Sequence, residues 1–201
     1  FAQTISVEVS NLTSGIYFTP ILVSAHNDTT RLFELGGMAS PELQMMAEGG
    51  SLDGLVANAE AANAVNAVNP AGGLLAPGMI ATTASIDTGS NGYLSITAML
   101  LPTNDGFVGL NAWKIPTEPG TYTVMLDAYD AGTEANDELI NSATGGMPNT
   151  PGMPGSPGGA GGSGGTGVTD TETNAYIHVH RGNLGDDDMS GGKSDNANTV
   201  H

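Results

Sequence analysis

The sequence predicts a mainly β protein, a C2-like antiparallel β-sandwich of about eight strands with a short helical insert. Three observations carry that reading. Short runs with period-two alternation recur along the chain, as in Ile5, Val7 and Val9. Clusters of Gly, Asn, Ser and Thr separate these runs at turn spacing. Only one stretch, opening at Ser40-Pro41-Glu42-Leu43, carries clear helix-start punctuation, an N-cap serine followed by proline in the first turn.

Thr4 to Val9 forms a first strand, and Asn11-Leu12-Thr13-Ser14-Gly15 turns toward a second over Ile21 to Ala25. The helical insert spans residues 40–68. Its first helix ends at Gly49-Gly50. Its second is capped by Ser51 and stopped by Asn69-Pro70, with Leu52, Leu55, Val56, Ala59, Ala62 and Val65 as a shallow apolar stripe. Met79 to Asp87, Tyr93 to Leu101, Phe107 to Ala112, Thr121 to Tyr129 and Tyr176 to His180 supply the remaining strands, with the helical insert packed on one edge or end of the sandwich.

Residues 146–167 are organised differently. Gly146, Gly152, Gly155, Gly158, Gly161, Gly164 and Gly167 keep one Gly-X-Y register, interrupted only by Asn149, with Pro148, Pro151, Pro154 and Pro157 in third places. The pattern is that of polyproline-II or polyglycine-II strands. Such a strand cannot satisfy its own backbone groups, so ordering it requires neighbouring strands; the plainer reading is a flexible Gly-rich loop. The chain therefore divides into a sandwich domain over 1–185, with this insertion inside it, and a polar tail over 186–201.

Acidic residues number 21 against 4 basic ones, for a net charge of −17. Nucleic acid and anionic lipid are bound through Lys and Arg, so neither is an expected partner. Without cysteine the chain has no disulfide and no thiolate chemistry. No apolar run approaches the roughly 20 residues of a membrane span. The sequence opens at Phe1-Ala2-Gln3 without Met and contains two Asn-X-Thr sequons, at Asn11 and Asn27. The opening fits a secreted, extracellular or cell-surface protein, with the periplasm as the alternative, whereas two sequons are expected by chance in a chain so rich in Asn and Thr.

Charged residues are 12% of the chain, yet carboxylates gather in two loops that follow strands. These are Thr103-Asn104-Asp105-Gly106 and Asp130-Ala131-Gly132-Thr133-Glu134. Oxygen ligands on loops held by a β scaffold suit calcium, which takes about six to eight oxygens at about 2.3–2.6 Å. The Ala-Gly-Thr spacing lets a tight turn bring Asp130 and Glu134 to one ion, and Gly132 lets carbonyls point inward. Asp127, Asn136 and Asp137 are second-rank ligands. The plain alternative is that Asp105 and Asp130 cap turn amides. A competing copper site would use His26 with His178 and His180, which lie two apart on one strand face. Nucleophile elbow, phosphate loop and zincin helix are all missing from the sequence, so no enzyme is expected.

The stretch from Leu94 to Leu110, followed by Tyr129-Asp130-Ala131-Gly132-Thr133-Glu134, resembles the spondin N-terminal domain family. Val9-Ser10-Asn11-Leu12-Thr13, Phe18-Thr19-Pro20 to His26, Leu35-Gly36-Gly37-Met38-Ala39-Ser40, Ala47-Glu48-Gly49-Gly50 and His180-Arg181-Gly182 look like the family's other blocks. The resemblance covers roughly Ile5 to Gly185 outside the Gly-X-Y insertion. It implies a C2-like sandwich in which animal members bind calcium through Asp in the two loops. Carried over by position, it implies Asp105, Asp130 and Glu134 as ligands, with Glu134 standing where the animal motif has Asp. The expected protein is a secreted calcium-binding structural or adhesive module, a homo-oligomer or polymer forming a surface filament or matrix, with an extracellular-matrix or cell-surface partner.

Overall fold

The computed structural model describes residues 2–101, 103–134 and 174–182. The Gly-X-Y insertion, Asn136, Asp137 and the polar tail lie outside them. The described chain is mainly β, with an open antiparallel sheet and two helices in a sandwich-like arrangement. In order the elements are β1 (Thr4–Ile5), β2 (Glu8–Ser10), β3 (Tyr17–Phe18), β4 (Leu22–His26), α1 (Pro41–Gly49), α2 (Asp53–Ala61), β5 (Val65–Val68), β6 (Ile80–Thr82), β7 (Ile86–Asp87), β8 (Tyr93–Leu101), β9 (Gly106–Lys114), β10 (Asp127–Asp130) and β11 (His178–Val179).

The main sheet runs β11-β10-β9-β8-β4-β5, and β3 pairs with β8 beyond the end of β4. Thr19 bridges the gap between β3 and β4: its hydroxyl accepts from the Met99 amide at 3.0 Å where Pro20 breaks the run. Residues 4–11 lie antiparallel to 79–87 as two short ribbons, β1 with β7 and β2 with β6. The expected single strand over Met79 to Asp87 is divided here because the register slips by one residue at Thr83, which bonds Val7 through both backbone and hydroxyl.

The sheet alternates cleanly between two cores. Val23, Ala25, Leu94, Ile96, Ala98, Leu100 and Val108 face the ribbons and pack on Val9, Ala81 and Ile86. Leu22, Met99, Leu101 and Phe107 face the helices and pack on Leu43, Met46, Ala47, Leu55 and Ala59. Each Val, Leu, Ile, Phe or Met among them, fully buried, contributes about 1.5–3 kcal/mol. The helices therefore cover a face of the sheet rather than an edge or end.

The helical insert is also shorter than the sequence suggests. Helix α1 has the expected cap, Ser40 Oγ accepting from the Leu43 amide, and ends with Gly50 at φ +72°. Helix α2 starts after Leu52 with no side-chain cap from Ser51, and ends at Ala61. Asn63 takes φ +60°, which breaks the helix and leaves Val65–Val68 free to pair with β4. The expectation of helix through Val68 is corrected to a strand: two β-branched valines close the sheet edge. The strand expected over Thr121 to Tyr129 is likewise confined to Asp127–Asp130, because the ladder with β9 stops at Gly109. Val124 and Leu126 keep the alternating burial without ladder partners.

Beyond Gly109, β9 is distorted by a bulge. Ser95 stands opposite both Asn111 and Ala112, and Ala112 takes φ +47°. The bulge is held by a buried chain of hydrogen bonds. The Ala112 amide donates to Ser95 Oγ at 2.9 Å, and Ser95 Oγ lies 2.7 Å from His26 Nε2. His26 Nδ1 donates to the Asn27 carbonyl at 2.7 Å, so Nε2 accepts from the serine hydroxyl. Burial holds this imidazole below its ordinary pKa, which keeps it neutral and in that role. Removing Ser95 Oγ strands a buried amide and a buried imidazole nitrogen. Ser95→Ala is therefore expected to destabilise by about 2 kcal/mol and lower Tm by roughly 4–8 °C in a thermal melt; a Tm within 1 °C or so of wild type would contradict the role given to the bulge.

Candidate metal centre

One end of the main sheet carries both acidic loops, because Asp130 pairs with Gly106 and Met99 with Phe107 in adjoining ladders. The first loop is unusually enclosed, with Thr103 and Asn104 each 8% exposed and Asp105 fully buried. Thr103 tightens it: its hydroxyl donates to the Leu100 carbonyl at 2.6 Å and accepts from the Gly106 amide at 3.0 Å.

The second loop folds onto Asp105. Asp105 Oδ2 accepts from the backbone amides of Thr133 at 2.8 Å and Glu134 at 3.1 Å, and the Ala131 amide donates to the Asp105 carbonyl. Asp130 Oδ1 accepts from the Gly132 amide at 2.8 Å. Gly132 is obligatory: it has φ +70°, and a Cβ there would stand 2.7 Å from the Asn174 carbonyl oxygen. Both aspartates therefore perform the turn-capping role open to them from sequence. That role uses only one oxygen of Asp105. Its Oδ1 is buried and has no hydrogen-bond partner.

Electrostatics make this arrangement costly. Asp105 and Asp130 are fully buried and Glu134 is 2% exposed. Desolvation, reinforced by the negative charge of Asp130, pushes the Asp105 carboxyl up to about 6 despite the two amide bonds. A further carboxylate joins them. Glu48, near the end of α1, is 3% exposed, and its charge also raises Asp105. Burial raises Glu48 itself, against a hydrogen bond from Gln44. Glu48 belongs to the Ala47-Glu48-Gly49-Gly50 block but is not among the ligands expected from the sequence. Its signal was a carboxylate beside the apolar Met46-Ala47 pair, just before the Gly-Gly stop.

The expected ligands are thus gathered in part. Asp105, Asp130 and Glu134 share one buried corner. Asp127 does not join them; it is exposed on β10, with the Tyr129 hydroxyl 3.5 Å from its Oδ2. Among the described residues no group of three or more His, Asp or Glu side chains stands in a finished metal-ligand arrangement. Carboxylate oxygens are the donors a hard cation takes, these three are buried, and the charges of Asp130 and Glu48 act on Asp105.

The family model Spondin_N matches residues 10–152. The chain belongs to the spondin N-terminal domain family. Domains of this family are non-catalytic extracellular modules. No curated protein matches the chain. No helix among the described residues of this spondin domain is long and apolar enough to cross a membrane.

The alternative copper site is not assembled, since His26 and His178 lie apart. His26 pairs with Tyr93, which pairs with Lys114, at one end of β9. His178 pairs with Asp130, opposite Gly106, at the other end of β9. Eight residue steps along a strand separate those ends by about 27 Å. Both ring nitrogens of His26 are also engaged inside the core. His178 instead flanks the carboxylates, with Nε2 3.6 Å from Asp130 Oδ2 and Nδ1 donating to the Tyr176 carbonyl. The sequons are structural as well. Asn11 is fully buried, its amide donating to the Ile16 and Leu75 carbonyls. Asn27 Oδ1 accepts from the amides of Thr29 and Thr30.

The raised Asp105 has a signed consequence in metal-free protein. Its folded pKa, about 6, exceeds the ordinary 3.8, so the folded state holds more protons between those values. Stability from this group is present at low pH and lost as pH rises through about 6. In chelator, Asp105→Asn should gain on wild type as pH rises from 4 to 7, by on the order of 3 kcal/mol. Denaturant melts of both proteins across that range check this; a difference independent of pH would contradict it.

Proposed function

We propose that this spondin domain is a secreted calcium-binding structural or adhesive module, in which Asp105, Asp130 and Glu134 hold the ion. The observation that carries the reading is Asp105: fully buried, one oxygen without a partner, and acted on by negative charges alone from Asp130 and Glu48. A hard divalent cation converts that repulsion into attraction and suits carboxylate oxygens. The ion would draw the two loops together and do no chemistry, since the family is non-catalytic. Calcium is the extracellular cation that such oxygens select, while copper would favour the imidazoles that this fold keeps apart.

Self-association into a filament or matrix is the finer part of the proposal. Its support is the Gly-X-Y register from Gly146 to Gly167, together with the sheet-edge strand β5, where Val65 and Val68 are 36% and 49% exposed. An extracellular-matrix or cell-surface partner fits the same surface role.

Calcium at 100 times its Kd adds about 2.7 kcal/mol of stability. Thermal melts in calcium against chelator are expected to differ by roughly 5–10 °C. Asp105→Asn should abolish the difference while raising the chelator Tm at pH 7. Equal melting temperatures for wild type in calcium and chelator would overturn the calcium reading. For assembly, sedimentation at high protein concentration with calcium is expected to give large species; a strict monomer would contradict it.

A further inference from the structure

Glu48 occupies a position that costs a carboxylate its hydration. It lies in the last turn of α1, where the helix dipole is negative and no basic residue compensates it. It is 3% exposed and faces a site whose other carboxylates are also buried. Its Oε1 accepts from Gln44 Nε2 at 2.8 Å. Its Oε2 has no hydrogen-bond partner, the same condition as Asp105 Oδ1. The negative charges of Asp130 and Glu48 both act on Asp105. Two buried carboxylate oxygens without hydrogen-bond partners, on side chains close enough for the charge of one to act on the other, are the oxygen donors that a hard cation takes.

We propose that Glu48 is a further carboxylate ligand of this cation site, so that the bound ion fastens helix α1 to the loops after β8 and β10. This rests on the reading of Asp105, Asp130 and Glu134 as a cation site. It gives α1 a role that packing alone does not: the ion links the helix layer to the sheet end through one side chain. Glu48 is then both a ligand and the reason the helix end is drawn over the loops.

Calcium titration calorimetry and terbium luminescence on the full chain test it. Glu48→Gln is expected to weaken calcium binding by about 10-fold or more and to admit about one extra water to bound terbium, read from lifetimes in H2O and D2O. Glu48→Asp keeps the charge but withdraws the oxygens by one methylene, and is expected to lose affinity too. Wild-type binding with E48Q unchanged in affinity and terbium hydration would overturn the inference and leave the calcium reading standing. E48D equal to wild type would also overturn it, because charge alone would then suffice. No binding by wild type would overturn both. If E48Q does not fold in chelator, the E48D comparison alone decides.

Discussion

The end of the main sheet is organised by one constraint: a carboxylate taken out of water must find charge or hydrogen bonds to replace its hydration. Asp105 meets half of that demand with the amides of Thr133 and Glu134, which bind the second loop to the first. The other half is unmet by the protein's own groups, since Oδ1 has no partner and the neighbouring charges are negative. Loop geometry and charge therefore pull in opposite directions. The amide bonds specify one loop conformation, and the uncompensated charge leaves that conformation short of stability, a demand that the proposed cation would meet.

The rest of the fold supports that corner rather than competing with it. Phe33, Phe107 and Tyr129 form a ring cluster just behind the loops, with centroids 5.1 to 5.5 Å apart. Gly109 leaves space for Phe33 and Tyr129, since a Cβ there would stand 2.7 Å from Phe33. Helix α1 packs Leu43, Met46 and Ala47 against the same sheet face and so delivers Glu48 to the carboxylates. At the opposite end, the His26–Ser95–Ala112 chain sets the bulge in β9 with neutral groups only. One end of the sheet is closed by satisfied hydrogen bonds, the other by a charge that asks for a partner.

Much of this was legible in the sequence. Strand alternation at Val7 and Val9, the Ser40-Pro41 helix start and the two acidic loops all speak through local residue types. What was not legible depends on distant partners. Val65 to Val68 reads as helix because Ala and Asn surround it, and only the left-handed Asn63 and the open edge of β4 turn it into a strand. Residues 121–126 alternate as a strand should, yet β9 offers no ladder there. Glu48 hides because a helix glutamate is ordinarily solvated; its burial follows from how α1 lies across β8 and β9. The histidine cluster failed for the same reason, since two-residue spacing says nothing about which end of a sheet His26 occupies.

The most direct measurement of the central claim is a crystal structure of the calcium-loaded protein with anomalous scattering recorded at long wavelength. The account predicts one calcium peak in the buried corner, with oxygens of Asp105 and Asp130 at about 2.3–2.6 Å. A calcium-soaked crystal with no peak there, and Asp105 Oδ1 bonded to a protonated neighbour, would contradict it.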